Sequence, residues 1–225
     1  MNNKETKFFI DTELKKAAYK IENNDLIGAE NIYENIAITY NEPMVWVAIG
    51  NLKFQQLETG ETTVQQALNC FSRAVLAAPN ERNFFENTYC ELSILLIDKF
   101  HTFYTNVQKK IKEEKTGKFW NIVLTGAAIG FGVSRSNNTN NVFKGVAGTA
   151  GAVYGLHKVG EHSRGLKDVE TAKAFLENTI KDLIRGVKNF CADNPSVYKK
   201  FTDHLDQLSS TNKSFQDIQQ KALLS

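Results

Sequence analysis

Apolar positions recur along this chain at helical steps of three and four. Leu14, Ala17, Ala18 and Ile21 predict a helix from about Thr12 to Glu22, with Asp11 and Thr12 as cap candidates. Asn23-Asn24-Asp25 breaks it and can cap a second helix carrying Leu26, Ala29, Ile32, Tyr33, Ile36 and Tyr40. Asn41-Glu42-Pro43 ends that helix and starts a third, because proline is tolerated in a first turn. Its buried face should hold Val45, Trp46, Ile49, Leu52 and Leu57, with Lys53 interrupting the stripe. Gly60 is a stop signal, and Val64, Ala67, Leu68, Phe71, Ala74 and Val75 mark a fourth helix that Pro79-Asn80 closes.

From Glu81 to Lys115 there is no proline or glycine. Phe84, Phe85, Cys90, Leu92, Leu95, Leu96, Phe100, Phe103, Tyr104, Val107 and Ile111 fit one long helix, or two with a bend near His101-Thr102. Leu166 to Phe190 is strongly amphipathic, with Val169, Ala172, Leu176, Ile180, Leu183, Val187 and Phe190 in step. Asn194-Pro195 opens a shorter helix, Ser209-Ser210-Thr211-Asn212 breaks it, and Phe215, Ile218, Ala222 and Leu223 close the chain. No stretch alternates as a strand does. The expected fold is all-α, built of antiparallel helix pairs joined by short turns, with a glycine-rich hairpin and C-terminal helices following. The expected division is a helical-repeat region over 1–115 and a second packing unit over 116–225.

The hairpin reading rests on two apolar arms, Phe119 to Val133 and Val142 to Leu156, separated by the polar run Ser134 to Asn141. Gly126 and Gly130 share one helix face, and Ala147, Gly151 and Gly155 share another. Such stripes let two backbones approach closely. Glycine costs a helix interior roughly 1 kcal/mol against alanine, so these arms need packing, against protein or lipid, to offset it. Each arm reaches roughly 22 Å as a helix, short against a hydrocarbon core of about 30 Å. Internal packing is the first expectation, a re-entrant or interfacial membrane hairpin the second, and a mobile glycine-rich linker the third. The lysines from Lys109 to Lys118 would suit an anionic surface, although Glu113 and Glu114 interrupt them.

Within the helix pairs, Trp46, Ile49 and Gly50 on one helix and Ala67, Phe71, Ala74 and Pro79 around the next fall in a recognisable order. This resembles the tetratricopeptide repeat. Lys53 stands where that repeat has a large side chain, and the turn from Glu58 to Thr63 makes the unit about five residues longer than usual. A weaker copy runs through Ala17, Ala29, Tyr33 and Ile36. A further first helix would begin near Asn80 with Phe85 and Leu92 in place and Tyr89 at the position of a small residue. The resemblance covers roughly residues 12–100. It implies a concave groove for a peptide, lined in the best repeat by Met44, Val47, Asn51 and Phe54. Asn51 falls where some members hold a peptide backbone or terminal carboxylate. The basic residues of a carboxylate clamp are missing, since Val47, Asn83 and Asn87 occupy their positions.

A net charge of +2 over 225 residues favours neither an acidic nor a basic partner, and no nucleic-acid function is expected. Cys70, Cys90 and Cys191 are widely spaced, so buried free thiols and a reducing, cytoplasmic setting are expected. The cytoplasmic face of a membrane is the alternative location. The polar stretch Met1 to Lys7 has no signal-peptide core. His157 and His162 are five apart with Gly160 between them, not the one-face spacing of a zinc pair, and His101 and His204 stand alone. Gly130-Phe131-Gly132 lacks a third glycine, and Thr116-Gly117-Lys118 is followed by Phe119 rather than a magnesium-binding hydroxyl. No metal, cofactor or catalytic set is expected. The function expected is a non-enzymatic adaptor, scaffold or chaperone-like module for a protein or peptide. Self-association through Leu176, Ile180, Leu183 and Val187 is its accompaniment, and the alternative function is a membrane-associated protein whose apolar hairpin 119–156 inserts into or lies on a bilayer.

Overall fold

The computed structural model describes residues 3–23, 25–113 and 166–224, with side chains described for 5–23, 25–58, 60–105 and 173–224. The described residues form eight α-helices and one 3-10 turn, with no strand among them. The helices are α1 (Asn3–Glu22), α2 (Leu26–Tyr40), α3 (Pro43–Thr59), α4 (Val64–Ala77), α5 (Arg82–Glu113), α6 (Leu166–Phe190), α7 (Pro195–Thr211) and α8 (Lys213–Leu224). The expected glycine-rich hairpin, with Gly126, Gly130, Ala147, Gly151 and Gly155, lies outside the described residues.

Local chemistry sets most helix ends. Asp25 caps α2, its carboxylate accepting the Gly28 N–H at 2.8 Å. Lys20 and the Gly28 N–H together hold that carboxyl below its ordinary range. Asn41 closes α2 in the left-handed conformation at φ 50°, and Pro43 fills the first turn of α3. Gly60 ends α3 at φ 73°, a conformation a side chain would strain. Thr63 and Gln66 form a reciprocal capping box at the start of α4.

Two boundaries differ from expectation, at the start of α1 and before α8, and for α5 the first of the two expected alternatives holds. α1 begins at Asn3, not near Thr12, and the Thr12 hydroxyl donates to the Phe8 carbonyl at 2.8 Å within the helix. α5 runs unbroken past His101 and Thr102. The polar break before the last helix shrinks to Asn212 alone, which caps α8.

The packing order is regular. α1 packs on α2, α3 on α4, α5 on α6 and α7 on α8. Helices two apart also touch: α3 with α5, α5 with α7, α4 with α6 and α6 with α8. α5 and α6 obey this order although residues 114–165 separate them. One hydrophobic cluster takes in buried residues from Ala17 to Ala222. Its centre is an aromatic group in which the Tyr89 ring lies 5.5 Å from Phe54, 5.3 Å from Phe71 and 5.2 Å from Phe190. Leu176, Ile180, Leu183 and Val187, the expected self-association stripe, are buried inside the chain's own core.

Small residues decide where helices come closest. A Cβ on Gly50 would meet Phe71 Cε2 at 2.5 Å, so α3 and α4 need glycine there. Between α5 and α6 the large residue is on the first helix: Gly186 on α6 leaves room for Tyr89 of α5, since a Cβ there would lie 2.3 Å from the Tyr89 oxygen.

Candidate interaction face

The four groove candidates lie on α3, where the repeat pattern spaces them along one face. Met44 is half-buried and packs against the core. Val47, Asn51 and Phe54 are buried. Phe54 is enclosed by Phe71 of α4 and Tyr89 of α5, so the packing partners of α3 close over the inner end of this face. The structure therefore puts Val47, Asn51 and Phe54 of the expected groove inside the core and leaves Met44 at its edge. Asn51 differs from the rest. Its Oδ1 is buried and accepts no hydrogen bond from the described residues, an uncommon state for a buried acceptor that costs about 1–3 kcal/mol.

Polar groups border α3, and the sequence pattern marked only one of them. The Lys53 ammonium pairs with Glu30 Oε1 on α2, and both side chains are largely buried. Gln56 Nε2 donates to Glu30 Oε2 at 3.0 Å. The charge that interrupted the apolar stripe thus ties α3 to α2 through one carboxylate. On the α4 side the Arg73 guanidinium lies 4.6 Å over the Trp46 ring. Burial pushes the Cys70 thiol up to about 11, while Lys53 and Arg73 pull it back down. Cys90 and Cys191 are likewise free and buried, with thiols pushed up to about 11 and about 12, first by burial.

The exposed apolar side chains fall elsewhere. Phe8, Tyr19, Ile27, Ile38, Leu76 and Leu95 are all more than half exposed. Helical periodicity gives Tyr19, Ile27, Ile38 and Leu76 no role, because single apolar residues on a polar helix face carry no periodic signal.

Among the described residues no group of three or more His, Cys, Asp or Glu side chains is placed to hold a metal. His157, His162 and the Thr116-Gly117-Lys118 run lie outside them. No helix of the described residues is long and apolar enough to cross a membrane. Comparison with known protein families, curated proteins and solved structures gives no match to this chain.

Proposed function

We propose that the chain is a non-enzymatic, helical-repeat interaction module, an adaptor, scaffold or chaperone-like protein that docks a peptide segment of a partner. In this reading the eight helices are four antiparallel pairs of the tetratricopeptide kind. The third pair, α5 with α6, carries residues 114–165 between its helices. The observation that carries the reading is the packing order: each helix on its pair-mate and, from the second pair onward, like helices of successive pairs on one another, with α1 and α2 joined to the rest through α2 on α3. Arrays of this kind stack helix pairs so that each contacts its neighbours, and they present extended surfaces to partners.

The docking face is that of Met44, Val47, Asn51 and Phe54. Met44 borders it, Val47 and Phe54 form its floor, and Asn51 supplies an acceptor still wanting a donor. A backbone N–H of an incoming peptide matches that vacancy. A docking segment must part the side chains that cover Asn51, so binding is coupled to a small local opening.

Selection of a random peptide library against the full chain tests this. Selected peptides should lose at least tenfold in affinity on Met44→Glu or Asn51→Leu, with circular dichroism unchanged. They should be indifferent to Asp217→Ala on the far helix α8. Selection that yields no binders, or binders indifferent to both α3 variants, would remove the α3 face from the proposal.

A further inference from the structure

Two asparagines clasp α5, and they differ in what they grip. Asn194 caps α7, with Oδ1 accepting from the Val197 N–H at 3.4 Å. Its Nδ2 donates to Glu86 Oε2 at 2.8 Å and to Asn83 Oδ1 at 2.6 Å. Asn212 does the same for α8. Its Oδ1 accepts from the N–H groups of Ser214 at 3.1 Å and Phe215 at 3.2 Å. Its Nδ2 donates to Thr105 Oγ1 at 3.0 Å and lies 3.3 Å from His101 Nε2.

The capping bonds decide which end of the Asn212 amide faces α5, because only the oxygen can accept a backbone N–H. Asn212 therefore presents N–H groups to His101, and the facing Nε2 must offer a lone pair. That requires the neutral imidazole with its proton on Nδ1. Protonation would set an N–H against an N–H. The ring also packs edge to face on Phe215 of α8, 4.9 Å between centroids, which ties His101 to the same helix that Asn212 caps.

The charged and titratable groups around His101 fit this. Asp98, on the same helix, favours the charged form, but it is itself 2.7 Å from His204 Nε2 on α7. Asp206 of α7 accepts from Gln219 Nε2 of α8 at 2.8 Å. Lys213, at the start of α8, is exposed. Burial lowers the His101 imidazole below its ordinary 6.5, and Asp98 only partly opposes it.

We propose that the His101–Asn212 contact is a pH-sensitive latch that holds α8 on α5 at neutral pH and releases it in mild acid. Release would uncover the faces of α6 and α7 on which α8 packs. The latch itself does not depend on the repeat reading. Its direction follows from the lowered value: the released state binds the proton more readily. The docked state is fully favoured above about 6.5 and loses ground as pH falls through that value toward the lower docked one.

Hydrogen exchange of α8 in the full chain, corrected for intrinsic rates, reads the latch directly. Protection of residues 213–224 should fall by up to about tenfold between about pH 6.5 and pH 5.5, while α6 stays protected. His101→Gln places an acceptor that does not titrate before Asn212, and should abolish the response. Asn212→Asp keeps a cap but presents a carboxylate, and should reverse it, with α8 more protected in acid. His204→Asn should leave it in place. A His101→Gln protein that follows the wild type, an Asn212→Asp protein of unchanged sign, or parallel loss in α6 would each overturn the latch.

Discussion

Gly186→Ala tests the contact that joins α5 to α6. The new Cβ would lie 2.3 Å from the Tyr89 oxygen and 3.5 Å from Val64 Cγ1. The second distance is ordinary contact and the first is not. Tyr89 is fully buried among Phe54, Phe71 and Phe190, so its ring cannot swing aside cheaply. Overpacking of this kind costs about 1–3 kcal/mol, while alanine in place of glycine within a helix returns about 1 kcal/mol. The single variant should be less stable by up to about 2 kcal/mol. Tyr89→Phe removes the clashing oxygen, which is buried and has no hydrogen-bond partner among the described residues, so it should be close to neutral or stabilising. With that oxygen gone, the next ring atom stands 3.4 Å from the new Cβ. Gly186→Ala should then stabilise the Tyr89→Phe background by up to about 1 kcal/mol. Urea unfolding followed by circular dichroism, run on all four proteins, closes the cycle. An equal cost of Gly186→Ala in both backgrounds would refute the contact.

Other perturbations should separate as clearly. Glu86 is almost wholly buried and holds Arg82 Nε at 2.6 Å and Asn194 Nδ2 at 2.8 Å, but Arg82 is half-exposed and keeps Asp193, so Glu86→Ala should cost about 1–3 kcal/mol in urea unfolding, the loss of hydrogen bonds rather than the stranding of a buried charge. Thr63→Ala removes one half of the capping box and should cost about 0.5–2 kcal/mol in the same assay. Cys70, Cys90 and Cys191 should resist iodoacetamide at about pH 8 until the chain is unfolded, because burial keeps all three thiols protonated there. Mass spectrometry would count the adducts, and fast labelling of the folded protein would contradict their placement.

Much of the helical framework can be read from short-range chemistry. Pro43, Gly60, Asn194 and Pro195 mark boundaries because their constraints act within one turn, and the period of α6 reproduces Leu166–Phe190 without adjustment. The start of α1 is hidden because Asn3 to Lys7 carries no apolar signal, and Thr12 satisfies its hydroxyl within the helix instead of capping one. Lys53 looked like a flaw in an apolar face until Glu30 of another helix supplied its partner. Tyr89 likewise misfits its own helix and fits only against Gly186. His101 and His204 stand alone in the sequence, yet the fold gathers them with Asp98 and Asn212 at one junction. In each case the missing half is a distant residue, and periodicity carries no information about it.

On the proposed reading, α6 to α8 complete the array begun by α1 to α5, across residues 114–165. A specific protease site inserted in the polar run 134–141 lets this be tested after folding. Cleaved protein should elute as one species in size exclusion and unfold in urea in a single transition, because α6 is buried against α4 and α5. Two fragments that separate without denaturant, each with its own transition, would show two independent units and contradict the account.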